Sequence, residues 1–194
     1  MTILNLISDA NTNINLLMTP CQEWDFANPP VTDTLQFVKD MIDTMYHYDG
    51  VGLASNQVGC LFRMFVMRGT NVEGDLACFN PRIVHFSEEK VLLEESCLSW
   101  PGLVVKVKRP KHIRLRFTIP YANGTQMFTR QFTGITARCV QHEIDHLNGK
   151  LWFAQANKYH RDHGFKHRGK YVRENQKSFS SPFQDFNFQK LASS

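Results

Sequence analysis

Over residues 61–132 short apolar runs alternate with polar positions, while on either side of that stretch apolar residues recur at helical spacing. Leu35, Val38, Ile42 and Met45 recur one turn apart, which predicts a helix that Thr32 caps and that ends near Asp49 and Gly50. The segments LFRMFVM, FNPRIVHF, KVLLEE, LVVKVK, HIRLRFTI and QMFTRQF are short, rich in β-branched or aromatic residues, and partly alternating, so each predicts a strand. Asn71, Gly74, Pro81, Pro101 with Gly102, and Asn123 with Gly124 supply the turns between them. Gly134 opens a second helix that runs to about Asn148 and Gly149. The segment GVGLASNQVG, residues 50–59, holds too much glycine for a stable helix. Residues 1–30, broken by Pro20, Pro29 and Pro30, read as irregular, and after Trp152 the periodicity is weak. No internal repeat is visible. Together these elements predict an α+β fold: mostly antiparallel sheets packed around a central helix.

The second helix carries an unusual distribution of side chains. At about 100° per residue, and with His142 at zero, Cys139, Glu143 and His146 fall within roughly the first 100°. Val140, Ile144, Leu147 and Leu151 gather near 140–200°, and Arg138, Gln141, Asp145 and Asn148 near roughly 240–320°. A surface helix needs only an apolar and a polar face. The third face, with two imidazoles one turn apart and Glu143 beside them, fits a buried metal ion with a carboxylate to move protons.

Two imidazoles do not complete a hydrolytic metal site, which takes three protein ligands and one open position for water. The extended zinc-protease pattern places a third His six residues after the second, and here that position is Trp152. His160, His163 and His167 lie in the weakly periodic segment that follows. Two cysteines are further candidates. Cys139 shares the ligand face but reads better as a small buried hydrophobe behind the site. Cys97, in EESCLSWPG, ends a strand and precedes a Pro-Gly turn, a position from which a thiolate can be presented to the helix.

Composition narrows the context. The chain has 194 residues, 42% hydrophobic and 21% charged, ordinary values for one soluble domain with a core. No apolar run approaches the roughly 18–20 residues of a membrane helix, so no membrane partner is expected. The N-terminus has neither the positive start of a secretory signal nor the arginines of a transit peptide, which gives a cytoplasmic expectation. Five cysteines, Cys21, Cys60, Cys78, Cys97 and Cys139, form no close-spaced framework and read as reduced thiols. Residues 150–194 carry nine Lys/Arg against three Asp/Glu, whereas the rest of the chain is close to neutral. Such a basic tail attracts an anionic surface or serves as a solvated end.

Three segments, GVGLASNQVG, EESCLSWPG and QHEIDH, in that order and at these separations, resemble the three motifs of peptide deformylases. The resemblance extends over about residues 16–152. It implies an α+β catalytic domain over residues 1–153, with its sheets around a metal-binding helix, and a basic C-terminal extension over 154–194. It implies Cys97, His142 and His146 as ligands of one divalent metal ion per chain. The ion would be Fe(II), with Zn, Ni or Co able to replace it. By the same resemblance Glu143 is the general acid/base, and the Gln57 side chain and the Leu98 backbone N–H donate to the oxyanion. Val51, Gly52, Glu95, Ser96 and Cys139 would then border the bound substrate.

The implied reaction is hydrolysis of the formyl group from N-formylmethionyl nascent peptides, which releases formate. A metal lowers the pKa of bound water from about 15.7 toward about 7, so that hydroxide forms at neutral pH. A thiolate ligand suits Fe(II) and makes the site sensitive to oxidation. The basic segment 158–177 would be a point of contact with ribosomal RNA. Two positions depart from the family pattern. Ser96 stands where a Gly is usual, and a side chain there would narrow the groove or change a positive φ. Arg138 stands where an apolar residue near the pocket mouth is common. Two other functions compete: a zinc peptidase with its third ligand downstream, and a metal-containing binding module without catalysis. Oligomeric state is left open.

Overall fold

A computed structural model describes residues 2–9, 13–69 and 74–175. Five strands form one sheet: β1 (Gly52–Ala54), β2 (Met64–Met67), β3 (Leu76–Phe86), β6 (His112–Tyr121) and β7 (Gly124–Thr133), in the order β1-β2-β3-β6-β7 with every neighbour antiparallel. Between β3 and β6 the chain leaves to make a separate hairpin of β4 (Lys90–Ser96) and β5 (Val104–Pro110). Three helices complete the fold: α1 (Thr34–His47), α2 (Gly134–Leu147) and α3 (Lys158–Glu174). Among the described residues no helix is long and apolar enough to cross a membrane.

Strand alternation decides which helix lies on which face. In β2 every residue is buried, and successive side chains serve different cores. Met64 and Val66 join Trp24, Met41, Met45, Leu53 and Phe79 beneath α1. Phe65 and Met67 join Leu115, Phe117, Ala137, Val140, Ile144 and Leu147 against α2. A third core of Trp100, Leu103, Val105, Val107, Trp152 and Phe153 fastens the β4–β5 hairpin to the turn after α2. The central helix is thus enclosed between the sheet and the hairpin, and every residue from Thr136 to Leu147 is buried.

Helix α1 is capped by Asp33, whose carboxylate accepts from the Gln36 N–H at 2.9 Å, one residue beyond the expected Thr32. Its inward face is centred on Met41 and Met45, so Leu35, expected to point inward, is exposed. The glycine-rich segment 50–59 holds the short strand β1 and a 3-10 turn, Ser55–Val58. The expected boundary after residue 153 falls within another 3-10 turn, Trp152–Gln155. Beyond it α3 is a helix of 17 residues where weak structure was expected, capped by the Asn157 side chain at the His160 N–H. Part of the extension, residues 176–194, lies outside the described residues.

Candidate metal centre

The polar face of α2 is buried, not solvated. It meets the β4–β5 hairpin, where Arg138, Gln141 and Asp145 find partners. Gln141 donates to the Pro110 carbonyl at 3.0 Å, Asp145 accepts from Arg109 at 2.7 Å, and Arg138 donates to the carbonyls of Val107 at 2.9 Å and Val91 at 2.7 Å. Arg138 lines the cavity, yet its guanidinium turns beneath the hairpin and is not left to meet substrate. The carbonyls at the C-terminal end of the helix are held by the Asn56 amide, which donates to His146 O at 2.7 Å, and by the Cys21 N–H, which donates to Leu147 O at 2.9 Å.

With the helix held on these sides, its remaining face meets the end of β4. Cys97, His142 and His146 are all buried, and each offers a ligand atom within 4.8 Å of the others. Cys97 Sγ lies 3.1 Å from His146 Nε2. This set fits a metal ion with bonds of about 2.0–2.3 Å to nitrogen and sulfur. His142 Nδ1 sits 3.1 Å from Glu95 Oε2, which directs its Nε2 to the ligand side. Burial opposes a charge on His142, but Cys97, Glu95 and Glu143 around it pull its pKa up to about 10. The same acidic surroundings favour a cation placed among them. His146 is driven well below the usual range by burial and by the positive charge of His142 and Arg109, so it is the neutral imidazole a metal requires. The donors present therefore fit one soft-to-borderline divalent ion. His160, His163 and His167 lie on α3, and Cys139 is not part of the set.

Two carboxylates flank the ligands. Glu95 is buried and accepts from Arg109 at 2.6 and 2.9 Å, from Arg138 at 2.5 Å and from His142. Burial would raise its pKa, but His142 and Arg109 bring it down to about 2. Its expected place along the substrate is thus realised only as cavity lining, because both carboxylate oxygens are engaged inside the protein. Glu143 differs. Burial pushes it up to about 7, with His142 opposing and Glu95 adding to the rise, and among the described residues its Oε2 has no partner.

Gln57 is oriented by its neighbours. Its Oε1 accepts from the Ala54 N–H at 2.8 Å, so its Nε2 faces Ser99 Oγ at 3.0 Å and Cys97 Sγ at 3.5 Å. A donor is thereby aimed at the ligand region. Gly52 allows close approach: a Cβ there would sit 2.5 Å from Glu143 Oε1 and 2.8 Å from Cys139 Sγ. Ser96 pairs with Val104 as ordinary strand and has no positive φ, so its side chain projects from the rim without backbone strain.

A cavity of about 720 Å³ opens onto this centre, within the usual range for small-molecule sites. Val51, Gly52, Gln57, Glu95, Ser96, Cys97, Leu98, Cys139, His142 and Glu143 line it, so the expected residues converge, while His146 belongs to the candidate ligand set without lining the cavity. Leu6, Ser8, Ile135 and Tyr171 line it too and were not foreseen. Leu6 and Ser8 come from an extended N-terminal strap tied down by Ile7 N–H to Gln57 O at 2.7 Å and Asp9 N–H to Ser99 O at 2.9 Å. Arg109 was also missed, although a signal existed: it continues the buried alternation of Val105 and Val107 along β5.

A family model described as polypeptide deformylase matches residues 6–162. A peptide deformylase of Wolbachia pipientis subsp. Culex pipiens is 38% identical over 149 residues, 70% of this chain and 81% of that protein. The crystal structure of the Thermotoga maritima peptide deformylase superposes with a TM-score of 0.71 at 32% identity, covering 81% of this chain and 99% of that one. A Met-Ala-Ser-bound class I type b peptide deformylase of Acinetobacter baumannii gives 0.69 at 27% identity, covering 79% of this chain and 98% of its own. With the family model matched over most of its length and its motifs gathered at one centre, the chain belongs to the peptide deformylase family, metal-dependent hydrolases that remove the N-formyl group from nascent peptides.

Proposed function

We propose that Cys97, His142 and His146 hold one Fe(II) ion in this chain and that Glu143, Gln57 and Leu98 carry the deformylation of N-formylmethionyl peptides. When bound, a divalent ion lowers the pKa of water and polarises the formyl carbonyl. Glu143 takes the proton of the attacking water and later delivers one to the leaving amine nitrogen. Its pKa, raised by burial to about 7, suits it to both tasks near neutral pH. Gln57 Nε2 and the Leu98 N–H donate to the oxygen that gains charge. Removal of one such donor typically costs about 2.7–4 kcal/mol of barrier. The buried neighbours of Glu143 exclude water from around the forming amine, while the 720 Å³ cavity admits an extended peptide.

The observation that carries this reading is the convergence of one thiol and two imidazoles beside a carboxylate whose second oxygen is unpartnered among the described residues. A formate-release assay on anaerobically purified protein tests it. Activity with Fe(II) that decays in air or peroxide supports iron and the thiolate. Iron-loaded protein indifferent to oxygen would refute the choice of metal. Zn, Ni or Co would replace the iron with greater resistance.

Because the substrate is a nascent chain, we place the reaction in the cytoplasm and the basic side of α3 near ribosomal RNA. Lys158, Lys166, Lys170 and Arg173 are exposed on that helix. Neutralising these four would weaken ribosome co-sedimentation and flatten its salt dependence. Unchanged co-sedimentation would remove the proposal.

A further inference from the structure

Helix α3 supplies no ligand to the metal centre, yet it reaches the substrate cavity. Gly164, Arg168 and Tyr171 recur about one turn apart and face the turn that follows Cys97. Gly164 lies on the backbone of β5: a Cβ there would meet Val104 O and Val105 Cγ2, each at 2.6 Å. Arg168 donates from Nε to Pro101 O at 3.0 Å, forms an ion pair with the buried Asp9, and rests its guanidinium 5.6 Å from the Trp100 ring centroid. Tyr171 lies on Gly102, where a Cβ would be 2.1 Å from the ring and where φ is +74°. Glycine is therefore required at 102 both by the backbone and by the ring seated on it. These contacts fix the helix and aim Tyr171 into the wall of the cavity, beside Leu98, Pro101 and Gly102.

From this placement we infer that Tyr171 is a specificity-determining residue that receives the part of the peptide downstream of formyl-methionine. The inference rests on the deformylase reading of the site. The formyl carbon must reach Cys97, His142 and His146, which are at most 9% exposed. Tyr171 lines the same cavity and is far more exposed, at 39%. A peptide whose formyl group lies among these buried ligands must leave along a more exposed part of the same cavity wall, advancing about 3.3 Å per residue. A ring face accepts main chain and apolar side chains of many kinds, which suits an enzyme that must process varied sequences.

The test compares formate release from a formylated dipeptide, formyl-Met-Ala, with that from a formylated tetrapeptide of the same first residues. The quantity read is the ratio of kcat/KM for the long and short substrates. Tyr171→Ala is expected to lower that ratio about three- to tenfold, the size of one aromatic contact, through KM of the tetrapeptide. Tyr171→Phe keeps the ring and should keep the ratio. Tyr159→Ala, on the same helix and 72% exposed, should leave the ratio and the activity as they are. A ratio unchanged in Tyr171→Ala overturns the inference. So does an equal loss on both substrates, because that is what mere bracing of Gly102 would give. Native enzyme that releases formate from neither peptide overturns the deformylase reading, and this inference with it.

Discussion

On one side of His142 stands Glu95, and on the other stands Glu143. Both are buried glutamates within reach of the same imidazole, and their surroundings drive them apart. Glu95 accepts from two guanidinium groups and one ring nitrogen, and its pKa falls to about 2. Among the described residues Glu143 is left with an unpartnered oxygen, and burial raises its pKa to about 7. The difference separates two jobs. In the proposed mechanism Glu95, held low by its donors, orients His142, and Glu143, held high by burial, carries the proton.

Exchanging each carboxylate for its amide should therefore give opposite results. Glu143→Gln should lower kcat by about 10²–10⁴ while metal stoichiometry stays the same. It should not lower stability at pH 7. In the metal-free protein a carboxyl raised on folding opposes the fold as pH climbs from about 4.3 toward its folded value, so the neutral amide removes a cost. A fall in the urea midpoint would break this half of the contrast. Glu95→Gln should instead leave Arg138 without its carboxylate and Arg109 with Asp145 alone, and cost about 3–5 kcal/mol, read as a lower urea midpoint. Stability equal to the native protein would show that Glu95 is not the structural member of the pair.

Smaller changes sharpen the same contrast. Gly52→Ala pushes against Glu143 and Cys139, and displacement of the proton carrier should cost about 10² in kcat/KM with little change in melting temperature. Native-like turnover would mean that Glu143 tolerates displacement. Arg138→Met should be mildest. Glu95 keeps Arg109 and His142, and the loss of the bonds to Val91 O and Val107 O should cost about 1–3 kcal/mol of stability. A larger loss of activity than of stability would return Arg138 to a substrate role.

Much of this arrangement was legible in the sequence. Six strands follow from their own runs, and the ligand face of α2 follows from helical spacing alone. Strand β1 was missed because Gly52, Leu53 and Ala54 are all buried and show no alternation. Helix α3 was missed because it has no continuous apolar stripe: one ring, Phe165, packs on Phe153, and the other contacts run through Gly164, Arg168 and Tyr171. The polar face of α2 could not be told from a solvated one, since periodicity reports position and not partner. Its partner was Arg109, a charge at an inward position of β5. The role of Glu95 depends on two arginines distant in sequence, which only the packed hairpin and helix bring together.

The coordination itself is open to direct measurement. X-ray absorption on zinc-loaded protein should show one sulfur at about 2.3 Å with two nitrogens at about 2.0–2.1 Å, and the sulfur should vanish in Cys97→Ala. A shell of nitrogen and oxygen alone in the native protein would contradict the convergence of Cys97, His142 and His146 on one ion.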